Sequence, residues 1–385
     1  MTLSSSAFVG RQIKNKIAQW LITLGGVSVL FTLVLIFLYL LYVIKPIFES
    51  AEVEPRTAIA LSEENKILSV GIDEYTEVSY TLAETGKLNF YQTKTVGERT
   101  VGDLIWSKEL LANGQSVEQY FKSSTGQNVI LDKQNQVYVY EVKYTAQYNE
   151  DSRIVEPSLF YPLGEDNLPV LESEVANQFA FAMNEERAVF LSYTNEGNLV
   201  KTSLIAEDDF NYDPEFEVEY DSIEIPFSSV ENILISPDLS RAFVRQGNYV
   251  QVYDIEEDTF ELLHEFTANE TPNADITSMA LLSGASSLLF GDSEGRVSQW
   301  FEITSSEGRV YQHIRSFDVA ANDKVVKIVP EKFRKTFFTV SESGLVSAFH
   351  STSEANLWQG RLTKSEISTL SIAPRSNALL IADKD

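Results

Sequence analysis

Cysteine is absent from the 385 residues, histidine and methionine occur three times each, and one long stretch carries no charge. Without cysteine there are no disulfides, no thiol catalysis, no cysteine-ligated metal and no lipid-bearing cysteine anchor. His264, His313 and His350 stand 49 and 37 residues apart, in none of the short-spaced patterns that hold zinc, and read as ordinary core or surface histidines. Phosphate-cradling glycine loops, the Gly-x-Ser-x-Gly elbow and the dinucleotide fingerprint are missing too. Basic charge is scarce. Four of the 30 basic residues fall within residues 1–45, which hold no acid, so the remainder carries 26 basic against 56 acidic residues, a net −30. Such a surface repels nucleic acid and anionic headgroups.

The uncharged stretch is Trp20–Ile44, WLITLGGVSVLFTLVLIFLYLLYVI. As a helix rising about 1.5 Å per residue it spans a hydrocarbon core of about 30 Å with some tilt. A secretory signal has an apolar region of about 7–15 residues, shorter than this one. Arg11, Lys14 and Lys16 precede it, and Glu49, Glu52 and Glu54 follow soon after. Positive charge stays on the cytoplasmic side, so the expected topology has the N-terminus inside and the acidic remainder outside. Gly25 and Gly26 offer a place for another helix to approach closely.

After a connector with Pro46 and Pro55, the text becomes short alternating runs of Val, Ile, Phe and Tyr between turn residues. One pattern recurs: GKLNFYQ at Gly86, NQVYVYE at Asn135, GNLVKTS at Gly197, GNYVQVYD at Gly247, GRVSQWF at Gly295 and GLVSAFH at Gly344. The intervals are 49, 62, 50, 48 and 49 residues, the long one holding the proline-containing 152–173, which reads as an insertion loop. Ahead of the later turns, residues 181–196, 233–246, 280–294 and 328–343 each read strand, polar turn, strand. Four strands repeating every 45–50 residues are the mark of β-propeller blades. The expected fold is all-β, a WD40-like propeller of about six or seven blades behind one transmembrane helix. The expected organisation is a basic cytoplasmic segment over 1–19, a transmembrane helix over 20–44, a linker over 45–56 and a periplasmic propeller over 57–385. Residues 57–82 hold enough strands for a blade without a fixed register, and 101–127 have helix-like spacing and are expected to be irregular. The stretch 365–385 starts another strand pair, and the spacing places its glycine turn near 386 or 393, so the last blade is expected to be incomplete.

No catalytic, cofactor-binding or metal site is assigned, and no cofactor is expected. The nine carboxylates of 207–224 lack the spacing of a calcium loop and read as an acidic loop with one strand. Tyr253, Trp300 and Phe349 occupy equivalent repeat positions and are expected between blades. Asn269-Glu-Thr271 is a glycosylation sequon of use only in a eukaryotic secretory setting.

With these elements in place, RQIKNKIAQWLITLGGVSVLFTLVLIFLYLLYVIKPIF (11–48), the WD40-like domain and ISTLSIAPRSNALLIADKD (367–385) together resemble the start of a permease subunit. They are similar to the large form of the bacterial phosphate-uptake ABC transporter permease, in which a large extracytoplasmic domain follows the first membrane helix. The resemblance implies an importer in the inner membrane: two permease subunits, a periplasmic phosphate-binding protein and a pair of ATPase subunits. The family's other membrane helices and its coupling loop have no counterpart here, so no residue receives a role in translocation. The alternative is a single-span envelope protein whose propeller scaffolds or senses protein partners; a propeller enzyme is the third reading.

Overall fold

The computed structural model describes residues 5–45, 51–61, 65–112, 114–148, 153–165, 168–169, 178–206, 216–270, 272–282, 284, 287–306 and 308–384. It falls into two compact units, Met1–Val53 and Glu54–Asp385.

In the first unit, α1 (Ser5–Ile44) is a single helix of 40 residues. It begins earlier than the uncharged run, because Arg11, Gln12, Lys14, Lys16, Ala18 and Gln19 are good helix formers and neither glycine nor proline interrupts 11–19. Arg11–Ile44 is long and apolar enough to cross a membrane. Its apolar side chains are exposed all round, from Trp20 through Phe31 to Tyr42, as in a helix whose solvent is lipid. The serine and threonine hydroxyls in the run are satisfied within the helix: Thr23 donates to the Gln19 carbonyl at 2.9 Å, Ser28 to Gly25 at 2.8 Å and Thr32 to Ser28 at 2.9 Å. Among the described residues, nothing lies within 4 Å of where a Cβ on Gly25 or Gly26 would stand.

The second unit is a WD40-like β-propeller. Blade 1 comprises β1 (Ile67–Ile72), β2 (Val78–Ala83), β3 (Lys87–Gln92) and β4 (Leu104–Glu109). Blade 2 comprises β5 (Val117–Lys122), β6 (Asn128–Asp132), β7 (Gln136–Tyr148) and β8 (Arg153–Phe160), with β9 (Leu168–Pro169) added on β7. Blade 3 is β10 (Gln178–Met183), β11 (Arg187–Tyr193), β12 (Asn198–Ala206) and β13 (Phe216–Glu224). Blade 4 is β14 (Asn232–Ile235), β15 (Arg241–Gln246), β16 (Tyr249–Asp254) and β17 (Glu261–Thr267). Blade 5 is β18 (Ile276–Leu281), β19 (Ser287–Asp292), β20 (Arg296–Ser305) and β21 (Gly308–Asp318). Blade 6 is β22 (Val325–Pro330), β23 (Thr336–Ser341), β24 (Leu345–His350) and β25 (Asn356–Arg361). Blade 7 has two strands among the described residues, β26 (Ile367–Ile372) and β27 (Leu379–Asp383). Within each blade the strands pair antiparallel in chain order, and β26 lies alongside β1, which closes the ring.

The sequence repeat has a direct backbone cause. Its six turn residues, Gly86, Asn135, Gly197, Gly247, Gly295 and Gly344, join second to third strands, all in the left-handed region with φ between 55° and 86°. At Gly295 space adds to backbone strain as a requirement: a Cβ there would stand 1.7 Å from the Ala320 carbonyl oxygen. A second regularity is a bulge in the innermost strand, opposite the same rung, at Leu68, Glu118, Thr277, Val326 and Ser368. A third is a bulge in the outermost strand, always at a branched aliphatic residue: Ile105, Leu263, Ile314 and Leu357. These bulges twist the exposed edges and blunt them against further pairing.

Two expectations need correction. Residues 101–127, expected to be irregular, hold β4 and β5. Trp106 stacks on Phe90 with ring centroids 5.2 Å apart, and Tyr120 and Phe121 pack on the two faces of blade 2, so sheet contacts override the local helical spacing. Residues 152–173, read as an insertion loop, hold β8, the outer strand of blade 2. The extra length of that repeat comes partly from the 13-residue β7. Residues 57–61 have no regular structure, and the first blade strand starts at Ile67. Of the acidic run, 216–224 form β13 as expected, and 207–215 lie outside the described residues.

Apolar clusters join each blade to the next from 1 to 7: Phe90 with Ile130, Val139 with Phe181, Leu191 with Ile235, Phe243 with Phe290, Leu289 with Phe337, and Val346 with Leu370. Each fully buried phenylalanine contributes roughly 2–3 kcal/mol by removal from water. Buried cations supplement the clusters. Lys201 on β12 is 1% exposed; its Nζ reaches Asp221 at 3.0 Å and donates to the carbonyls of Glu256, Glu257 and Thr259 in blade 4 at 3.3, 3.3 and 3.0 Å. Arg245 on β15 donates to Gly247 at 2.7 Å and to Ile276 of blade 5 at 3.0 Å, and pairs with Glu231 at 2.7 Å. Replacing Lys201 with methionine removes its bonds to the Glu257 and Thr259 carbonyls, while Glu256 keeps the Thr259 amide at 3.2 Å. Urea unfolding of the detergent-solubilised chain should show a loss of about 2–3 kcal/mol; a change below about 0.5 kcal/mol would mean that the lysine does not pin blade 3 to blade 4.

Candidate interaction surface

A shallow recess lies on the outer rim between blades 4 and 5. The outer hairpin of blade 5 is long: β20 has 10 residues and β21 has 11, against six or seven in the outer strands of blades 1, 4 and 6. The extension projects past β17 and leaves a shallow cleft of about 330 Å³, lined by Leu262, His264, Phe266, Val310 and Tyr311 among others. Its floor is an aromatic ladder. Phe266 stacks on Tyr311 at 5.3 Å between centroids and on Trp300 at 5.1 Å, while Phe243 meets Tyr311 edge-on at 5.8 Å. Such pairs add about 0.5–1.5 kcal/mol each beyond their buried area. Burial and the neighbouring Glu302 push the Tyr311 hydroxyl well up, so it stays protonated.

Two of the three histidines border this ladder. The His264 ring is 6.5 Å from Tyr311 and the His313 ring 5.7 Å from Trp300. His264 Nε2 lies 3.8 Å from Glu302 Oε1, a buried oxygen that accepts no hydrogen bond, and Arg309 lies 3.7 Å from the other Glu302 oxygen. His313 Nε2 is 2.9 Å from Ser316 Oγ, and its Nδ1 is 3.7 Å from Glu270. The order Ser316, His313, Glu270 has the outline of a nucleophile, base and orienting acid, but 3.7 Å is too long for the hydrogen bond that fixes the ring. His350 stands apart in blade 6, its Nδ1 3.1 Å from the hydroxyls of Thr352 and Ser353. Among the described residues no three His, Asp or Glu side chains are grouped to hold a metal ion.

Tyr253, Trp300 and Phe349 are 1%, 7% and 2% exposed and sit in three different inter-blade clusters, as their repeat positions require. Trp300 therefore contributes to the ladder from inside the core. Asn269 of the sequon is half-buried and donates to the Ala274 carbonyl at 2.7 Å, and Thr271 lies outside the described residues. Sequence reasoning missed Phe266, Tyr311 and Glu302. The available signal was the alternating run from Arg296 to Asp318, which exceeds the length of its counterparts in blades 1, 4 and 6.

No family model matches the chain, and no curated protein matches it. Among solved structures it is similar to Raptor from Chaetomium thermophilum, with a TM-score of 0.54 at 10% identity, over 83% of this chain and 27% of that one. At that identity the likeness shows the fold alone, a WD40-like propeller, and the chain spans about a quarter of the Raptor chain.

Phe266 stacks on both Tyr311 and Trp300 but is only half-buried, so Phe266→Ala should destabilise the propeller by about 1–3 kcal/mol, below the fully buried range, and Phe266→Leu by clearly less. Denaturant unfolding followed by tryptophan fluorescence reads this through the neighbouring Trp300. Equal stability of Phe266→Ala and the parent would show that the ladder adds nothing to the blade 4–5 junction.

Proposed function

We propose that this chain is the membrane-anchored, N-terminal part of a bacterial phosphate-uptake ABC transporter permease subunit. In this reading α1 is its first span, the N-terminus is cytoplasmic, and the propeller stands on the periplasmic side of the inner membrane as an interaction or regulatory module. The observation that carries the reading is the order within one chain: a basic flank, a helix of spanning length, then a strongly acidic propeller. Basic residues retained on the short side of a span support the orientation. The net −30 beyond residue 45 argues that phosphate does not rest on the propeller itself, which leaves protein contact as its task. Its partners would then be the second permease subunit, the periplasmic phosphate-binding protein and, through the membrane part, the ATPase pair. The rim cleft of blades 4 and 5 supports a second reading, a single-span envelope protein whose propeller scaffolds protein partners. Rigid blades with a shallow aromatic recess suit binding without chemistry.

The two readings separate on uptake. Disrupting the propeller-coding segment in its host should lower uptake of labelled phosphate several-fold under phosphate limitation, and a photo-crosslinker at Val310 should capture a phosphate-binding protein. Unchanged uptake would sink the permease reading; a crosslink to an unrelated envelope protein in that case would favour the scaffold.

A further inference from the structure

The propeller's strongly negative net charge reverses sign locally at one end of the ring. In each blade the turn between the first and second strands lies at that end, beside the central channel. These inner turns touch one another. The Met183 amide of blade 3 donates to Thr125 Oγ1 of blade 2 at 3.2 Å, Arg187 of blade 3 donates to the Leu239 carbonyl of blade 4 at 3.0 Å, and Arg375 of blade 7 meets Glu74 of blade 1 at 3.5 Å. The inner turns of blades 1 and 3 are rich in acid, with Asp73, Glu74 and Glu77 in the first and Glu185 and Glu186 in the second. In blade 6 the inner turn reads Glu331-Lys332-Phe333-Arg334-Lys335, and residues 332–335 are all exposed.

This turn reaches three other blades. Lys332 Nζ lies 3.6 Å from where a Cβ on Gly126 of blade 2 would stand, in the turn that follows Lys122. Lys335 Nζ lies 3.6 Å from the equivalent point on Gly284 of blade 5. Arg334 donates to Asn377 Oδ1 of blade 7 at 2.5 Å, two residues from Arg375. The acids beside these cations are Glu331, which is buried and pairs with Arg334 at 3.4 Å, and Glu74, which pairs with Arg375. Burial holds the Lys122 and Lys327 ammonium groups below the usual lysine range; Glu141 offsets this in part at Lys122, and among the described residues no carboxylate offsets it at Lys327. Acids elsewhere on the surface are screened beyond about 8 Å at physiological ionic strength, so the blade 6 turn presents its own positive charge.

The tip of the same turn is apolar. Phe333 is 60% exposed, the most exposed phenylalanine of the propeller among the described residues, with Lys332 Nζ 5.5 Å from its ring centroid. A single exposed apolar side chain is ordinary. An exposed ring set among three cations has the composition of an interfacial anchor, in which the ring enters the headgroup layer and the charges meet anionic lipid. A ring this exposed protrudes. A protein would have to offer it a formed pocket, whereas a bilayer interface yields to it. A chain with a helix of spanning length also has a bilayer at hand.

We propose that the inner turn of blade 6 docks on a bilayer that contains anionic phospholipid: Phe333 enters the headgroup layer, and Lys332, Arg334 and Lys335 bring positive charge to the lipid phosphates around it. The net −30 of the chain beyond residue 45 repels such a surface, and this turn is the local exception. The docking rests on α1 being a membrane span and is independent of the permease assignment.

The cysteine-free chain allows a direct test. The full chain carrying Phe333→Cys, labelled with the fluorophore NBD, is reconstituted into vesicles of phosphatidylcholine with or without phosphatidylglycerol. A chain labelled at Glu294→Cys, in the turn between the second and third strands of blade 5 at the other end of the ring, is the control. Quenching of the 333 label by a lipid with a nitroxide headgroup should be at least twofold greater with phosphatidylglycerol than without. High salt should remove the difference, and the 294 label should show none. Lys332→Glu combined with Lys335→Glu should abolish it too, with the urea midpoint unchanged. Equal quenching in the two lipids or at the two sites would overturn the proposal, as would a difference that survives high salt. Protection of the 333 label in host membranes but not in vesicles would assign the turn to a protein and overturn the lipid. A chain that alkaline carbonate strips from the vesicles would overturn the spanning reading and the docking with it.

Discussion

A sheet with two apolar faces cannot stand by itself in water, and in this protein each blade solves that problem only through its neighbours. Phe181 of blade 3 is covered by Val129 and Val139 of blade 2, while Leu191 on the other side of the same blade is covered by Ile235 of blade 4. The same double coverage runs along the chain until Leu370 meets Val340 and Val346. Between blades 7 and 1 no apolar cluster occurs among the described residues. That seam is held by β26 beside β1 and by Arg375, whose Nε is 3.5 Å from Glu74. An exposed ion pair of this kind contributes about 0–1 kcal/mol. Six junctions are therefore filled by apolar clusters, and at the seventh β1 runs beside both β26 and β27.

Buried polar groups add specificity to this frame. Lys201 and Arg245 each carry a cation into an inter-blade junction, where backbone carbonyls of the next blade accept its hydrogen bonds. Thr277 and Ser278 of β18 both donate to the Val325 carbonyl, at 2.7 and 3.1 Å, which fixes blade 6 against blade 5. Such contacts reject alternative registers between blades, since a shift by one residue would leave buried donors unpaired. The rim cleft exists because this frame is rigid: β20 and β21 extend beyond it and hold Val310 and Tyr311 opposite β17.

The repeat was legible because a backbone requirement left a residue signature. A left-handed turn recurring at 48–50 residues, and once at 62, favours glycine or asparagine, and those residues stand at each such turn from Gly86 to Gly344. The core positions of Tyr253, Trp300 and Phe349 followed from the same spacing. Blade 1 and the start of blade 2 were harder to read, since Trp106, Tyr120 and Phe121 take strand geometry from partners far along the chain rather than from local pattern. The rim cleft was not legible for a related reason. Phe266, Trp300 and Tyr311 belong to three different strands, and no sequence spacing announces that their rings stack. His264 and His313, 49 residues apart, are brought to one ladder by the repeat itself.

Closure of the ring between blades 7 and 1 is the claim on which the rest depends, and the cysteine-free sequence makes it accessible. Cysteines placed at Glu74 and Arg375, joined by a short bis-maleimide in the detergent-solubilised chain, should give an intramolecular crosslink in high yield in the monomer, with none in either single-cysteine chain. A double-cysteine monomer that fails to crosslink would show blades 1 and 7 apart, and would contradict the closed seven-bladed ring.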